Sequence, residues 1–123
     1  RDVSALTDLH NNPKATVLCS NLEKSAHFPI GGQRFDGVVV TNFLQRDILG
    51  NICDAVTPGG LLLYETFGTG NETYGRPRNS KFLLKPGELI KTVRANFDIL
   101  GFEHGLRRIP SPAIIQRVAA VRR

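Results

Sequence analysis

Arg34–Leu44 reads RFDGVVVTNFL. Valines stand consecutively at 38, 39 and 40, with no polar residue alternating among them. A strand with one face in water carries a polar side chain at every second position. A strand apolar throughout is covered on both faces, as in the parallel sheets of α/β proteins. The run closes on the polar pair Thr41-Asn42.

Downstream, residues 44–57 (LQRDILGNICDAVT) place Leu44, Ile48, Leu49, Ile52, Cys53 and Val56 on one face at helical spacing. Pro58-Gly59-Gly60 is expected to end that helix, because Gly accepts the left-handed conformation beyond a helix end and Pro cannot continue one. Residues 61–67, LLLYETF, predict a second buried strand. A helix is expected over about 86–95, with Leu89, Ile90 and Val93 on one side and Pro86 in its first turn. FDILGF and AIIQRVAAV read as strands joined by a link with no helix, hence an antiparallel hairpin at the end of the sheet. Upstream, VSALTDLH (3–10) reads as a helix stopped by Asn11-Asn12-Pro13, and ATVLCS (15–20) as a buried strand. Strands alternating with helices imply right-handed crossovers. The expectation is one α/β domain over 1–123, its sheet mostly parallel with an antiparallel C-terminal strand.

The chain carries a formal charge of +5 and a pI near 9.7, which favours anionic ligands or nucleic acid. The cations are dispersed, and no basic stripe is interleaved with aromatics. No apolar run approaches the ~18 residues of a membrane span. Cys19 and Cys53 sit singly in apolar runs without metal-ligand spacing, which points to small core residues and a reducing, cytoplasmic setting. His10, His27 and His104 have no partners at a spacing that would suggest a triad or a zinc site.

In open α/β sheets ligands bind beyond the carboxyl ends of the strands. Here those ends are Ser20-Asn21, Thr41-Asn42 and Glu65-Thr66, and the last leads into GTGNETYGRPRNS, a polar, basic loop suited to cover a crevice. The alternative is that Asn21 and Asn42 only cap helices or turns. Gly68-Thr69-Gly70 reads as a hinge of that cover. Tyr64 and Glu65 alternate, so one of the two faces a helix. Arg76 and Arg78 would either hold an anion by forked hydrogen bonds or decorate a solvated loop.

The strings RFDGVVVTNFLQRDIL and AVTPGGLLLYETFGTGNETYGRPRNSKFLLKPGEL resemble the C-terminal half of class I S-adenosylmethionine-dependent methyltransferases, in particular small bacterial enzymes of the tellurite-resistance-like branch. The resemblance runs from about Asp2 to Val121. It implies a partial Rossmann-like methyltransferase sheet with a terminal antiparallel hairpin, and S-adenosylmethionine as cofactor. It assigns cofactor contacts to Asn21, Leu22, Thr41 and Asn42, and substrate contacts to Tyr64, Asn71, Arg76 and Arg78. Glu65 falls on the substrate side and is the best-placed carboxylate where a general base is needed, or else a structural acid paired with a loop arginine or with backbone. A small-molecule acceptor is expected.

The sequence also departs from that pattern. The family's first strand, glycine-rich loop and ribose-binding acid have no counterpart here, and the chain starts with Arg1 and has no methionine. Two expectations follow. Either these residues are a C-terminal portion, inactive alone, or they form a non-catalytic module that pairs with a second copy or another partner through the exposed edge of the VVV strand.

Overall fold

The computed structural model describes residues 32–123. The expected helix at 3–10, the strand at 15–20 and the site residues Asn21 and Leu22 lie outside the described residues. The strands are β1 (Phe35–Thr41), β2 (Val56–Phe67), β3 (Phe97–Arg107) and β4 (Ala113–Arg122). The helices are α1 (Leu49–Asp54) and α2 (Glu88–Val93). Single 3-10 turns occur at Arg46–Ile48, Asn71–Thr73 and Ser80–Phe82.

The sheet order is β1-β2-β4-β3. β1 and β2 are parallel, and β4 runs antiparallel to both β2 and β3. The expected hairpin therefore exists, with its second strand inserted between β2 and β3. β1, β2 and β3 point the same way, and the first residue of β4 lies at their carboxyl edge.

One face of this sheet is finished. Leu62, Tyr64 and Thr66 of β2 and Gln116, Val118 and Ala120 of β4 are buried there. Leu49 and Ile52 of α1, Leu89 and Val93 of α2, and Leu83 and Leu84 from the preceding loop are buried as well. The two helices touch each other as well as the sheet, so both lie on this face. Each fully buried Leu or Val removes enough apolar surface from water to contribute about 1.5–3 kcal/mol. The opposite face carries Val39, Leu61, Leu63, Ala119 and Val121, and Val39 is 68% exposed. The second covering layer that the VVV run predicts is not found among the described residues.

The elements differ from the sequence expectation at their ends, for local reasons. The 44–57 helix is a 3-10 turn followed by six α-helical residues. Gly50 and Asn51 are weak helix formers, and β2 takes over at Val56. Pro58-Gly59-Gly60 lies inside β2 as an irregularity: the register with β1 shifts between Phe35 and Gly37. Gly59 has φ +82°, and a Cβ on Gly60 would lie 2.9 Å from the carbonyl oxygens of Asp36 and Thr57. The second helix begins at Glu88, because Gly87 at φ 75° is its N-cap. Pro86 precedes the first turn instead of forming it.

Candidate functional site

Register aligns the polar strand ends. Thr41 of β1 pairs with Glu65 of β2, Glu65 with Arg117 of β4, and Arg117 with Glu103 of β3. This row crosses all four strands. One step back along the strands, Val39, Leu63, Ala119 and Gly101 form an apolar row. The two rows line a hollow of about 400 Å³ on the uncovered face.

Glu65 is engaged by two guanidiniums. Arg117 Nε lies 3.2 Å from Oε1, and an Arg107 terminal nitrogen lies 3.4 Å from Oε2. Arg117 Nε also lies 3.1 Å from a Glu103 oxygen. Neither Arg107 Nε nor Arg117 Nε makes a hydrogen bond, although both atoms are buried. For Arg117 the distances are short, yet the N–H is aimed at neither carboxylate well enough to form a hydrogen bond. The terminal nitrogen of Arg107 donates a long hydrogen bond to Glu65, whereas the Arg117 contacts are Coulombic; the side chains remain partly open to solvent, so screening weakens both.

Tyr64 faces the other way. It is 3% exposed, lies under the helices, and donates its hydroxyl to the Phe43 carbonyl at 2.7 Å. Burial, more than any neighbouring charge, pushes its phenol well above the ordinary value. Of the Tyr64/Glu65 alternation, Tyr64 is thus the residue that faces a helix. Asn42 sits at φ 53°, a left-handed conformation that Asn tolerates better than most residues. Its N–H donates to the Glu65 carbonyl at 3.0 Å, which turns the chain sharply at the end of β1.

The loop after β2 is tied at its base. Gly68 N–H donates to the Ile114 carbonyl at 3.0 Å, and the Thr69 N–H and hydroxyl both donate to the Leu84 carbonyl, at 2.9 and 2.8 Å. A Cβ on Gly68 would meet the His104 ring at 2.5 Å, so this glycine answers a close approach. Asn71 is 1% exposed and fully used: Nδ2 donates to the Pro77 carbonyl at 3.1 Å, and Oδ1 accepts from Ile114 N–H at 3.0 Å. Arg76 and Arg78 are exposed. Arg76 lines a second hollow, of about 450 Å³, together with Phe67, Asn71, Tyr74, Arg107 and Ser111. The Glu65–Arg107 contact joins the two hollows.

The structure thus brings Thr41 and Glu65 together, sends Tyr64 to the core side, and uses Asn71 as a strut of the loop. Arg107, Arg117, Glu103 and Tyr74 were not anticipated. The one signal for Arg117 was the polar pair Gln116-Arg117 interrupting an otherwise apolar strand. Among the described residues no cluster of His, Cys, Asp and Glu could hold a metal ion, and no helix is long and apolar enough to cross a membrane.

No family model and no curated protein matches the sequence. Solved structures do match. TehB from Haemophilus influenzae is similar with a TM-score of 0.59 at 16% identity, over 74% of this chain and 36% of that one. A 16S rRNA (adenine(1408)-N(1))-methyltransferase from Catenulisporales acidiphilia, solved with its cosubstrate SAM, aligns more loosely, with a TM-score of 0.46 at 15% identity over 71% of this chain and 49% of that one. The chain therefore spans little more than a third of the length of TehB. The described part has a partial Rossmann-like methyltransferase fold: a mixed four-stranded sheet whose last strand is antiparallel.

Proposed function

We propose that this chain is the C-terminal part of an S-adenosylmethionine-dependent methyltransferase. The observation that carries the reading is the register row Thr41–Glu65–Arg117 at the carboxyl edge of a sheet with this strand order. The sequence strings quoted above support it independently.

The residues present suit a sulfonium cofactor in part. Thr41 is exposed and carries a hydroxyl, and the Asn42 side-chain amide has no hydrogen-bond partner among the described residues. They would line the cofactor side. When bound, the cofactor supplies an electrophilic methyl carbon, and the protein orients donor and acceptor for in-line displacement. Tyr64 and Asn71 fix the ends of β2 and the loop from behind. Glu65, between two guanidiniums, orients the acceptor or takes its proton, and Arg76 and Arg78 present positive charge from the cover.

Titration calorimetry of S-adenosylhomocysteine against the gene product that contains this chain tests the reading. Saturable heat that falls about tenfold in affinity on Asn42→Ala, a loss of ~1.4 kcal/mol, is expected. A flat titration would refute it. A second reading, a non-catalytic pairing module, is favoured by one observation, the exposure of Val39 on a strand paired only with β2 among the described residues. It predicts a dimer by light scattering, and a clean monomer removes it.

A further inference from the structure

The 450 Å³ hollow between the loop after β2 and the β3–β4 link has walls of two kinds. Phe67 and Tyr74 contribute rings, and Arg76 and Arg107 contribute guanidiniums. The Arg107 guanidinium carbon lies 6.0 Å from the centroid of the Phe67 ring. Its Nε is buried without a hydrogen-bond partner among the described residues, and its contact with Glu65 is long, at 3.4 Å. Glu65 and Glu103 together offset Arg107 and Arg117, so the charge left over in the hollow is that of Arg76, which makes no ion pair among the described residues. The volume falls within the range of small-molecule sites.

The backbone narrows the ligand class. Phosphate sites usually draw on convergent backbone N–H groups. Here four N–H groups of the turn at the loop's start are spent within the loop. Asn71 donates to Gly68, Thr73 to Gly70, and both Tyr74 and Gly75 to Asn71. The charged donors that line the hollow are two planar guanidiniums, whose parallel N–H groups match a carboxylate. For the body of such a ligand the walls offer a pair of aromatic faces.

We propose that this hollow binds a small aromatic carboxylate, with the ring against Phe67 and Tyr74 and the carboxylate on Arg76 and Arg107. The inference deepens the methyl-transfer reading by naming its acceptor class, and it rests on that reading only for the word acceptor.

The test is calorimetric titration of the full chain with benzoate, cyclohexanecarboxylate and inorganic phosphate, with no cofactor present. Benzoate is expected to saturate, with cyclohexanecarboxylate several-fold weaker and phosphate at least about tenfold weaker. Arg76→Gln, at an exposed position, should weaken benzoate about tenfold, while Lys91→Gln on α2 leaves it unchanged. Arg107→Lys keeps the charge beside Glu65 but loses the fork, and it should weaken benzoate with the circular dichroism spectrum intact. Phosphate binding as tightly as benzoate would make the hollow a general anion site and overturn the proposal. So would benzoate affinity indifferent to both arginine variants, or no binding at all. If benzoate binds and S-adenosylhomocysteine never does, methyl transfer fails and the site stands. The reverse result removes the site alone.

Discussion

Replacing Gly68 by alanine should destabilise the chain by about 2 kcal/mol, and the cost should vanish when His104 is also removed. The new methyl would lie 2.5 Å from His104 Cε1 and 3.1 Å from each ring nitrogen. Carbon–carbon contacts are comfortable at ~3.5–4.0 Å, so something must move by about 1 Å. The ring is not free to yield. Its Nδ1 accepts from Gln116 Nε2 at 2.9 Å, and its Nε2–H donates to the Thr69 carbonyl at 3.0 Å. Gln116 is fully buried and is held in turn by Leu89 N–H at 2.8 Å and the Lys85 carbonyl at 2.8 Å. Swinging the ring away forfeits two hydrogen bonds at about 0.5–1.5 kcal/mol each. Leaving it in place overpacks the site at ~1–3 kcal/mol. Either route is offset by ~0.4–1 kcal/mol, because alanine restricts the unfolded chain and Gly68 is not at positive φ. Urea unfolding followed by far-UV circular dichroism measures the difference. In a His104→Ala background the methyl has room, so Gly68→Ala should be neutral or slightly stabilising. An equal cost in both backgrounds would refute the reasoning, as would a neutral single mutant.

Arg46 fastens the turn before α1 to α2: its Nε and one terminal nitrogen meet the Glu88 carboxylate at 2.7 and 2.9 Å, and its terminal nitrogens reach the Lys81 and Leu83 carbonyls at 2.9 Å. The hydrogen bond from Arg46, opposed by burial, holds the Glu88 carboxyl below its ordinary value of 4.5. A depressed folded value gives stability that is present above the unfolded value and lost as pH falls through the folded one. Arg46→Gln should therefore cost about 1 kcal/mol at neutral pH, a figure discounted for solvent screening of the pair, and thermal melts should show the gap narrowing in acid and in high salt. Asn71→Ala leaves Ile114 N–H and the Pro77 carbonyl without partners, so urea unfolding should show a loss of about 2–3 kcal/mol, with faster proteolysis between residues 72 and 80. Burial pushes the Cys53 thiol up to about 11, so iodoacetamide at pH 8 should modify it at least tenfold more slowly than free cysteine, read by mass in a Cys19→Ser background.

How much of this the sequence could show follows from the range of each interaction. The valines at 38–40 and the LLLYETF run marked β1 and β2 because burial patterns are written locally. The position of β4 was not legible. A hairpin placed outside β3 and one folded back between β2 and β3 carry the same local signals, and the choice rests on which edge of β2 is open. Pro58-Gly59-Gly60 was misplaced for a related reason: a helix stop and a strand irregularity use the same residues, and only the approach of the Asp36 carbonyl to Gly60 distinguishes them. At the site, Thr41 and Glu65 were readable as strand ends. Their partner Arg117 lies 52 positions beyond Glu65 and is placed by register alone.

The insertion of β4 has a chemical consequence. An antiparallel strand laid beside β2 presents its early residues, not its late ones, at the carboxyl edge. Arg117 therefore stands directly opposite Glu65, and the end of β3 is close enough for Arg107 to reach the same carboxylate. Had β4 paired outside β3, a full strand would separate Glu65 from Arg117, at about 4.8 Å per strand. Glu65 would then face β3 and would lack its closest cation. The strand order that completes the fold thus also sets the charge at the mouth of both hollows. Arg117→Gln should accordingly disturb ligand binding in each hollow through Glu65, without touching a ligand in the one lined by Arg76.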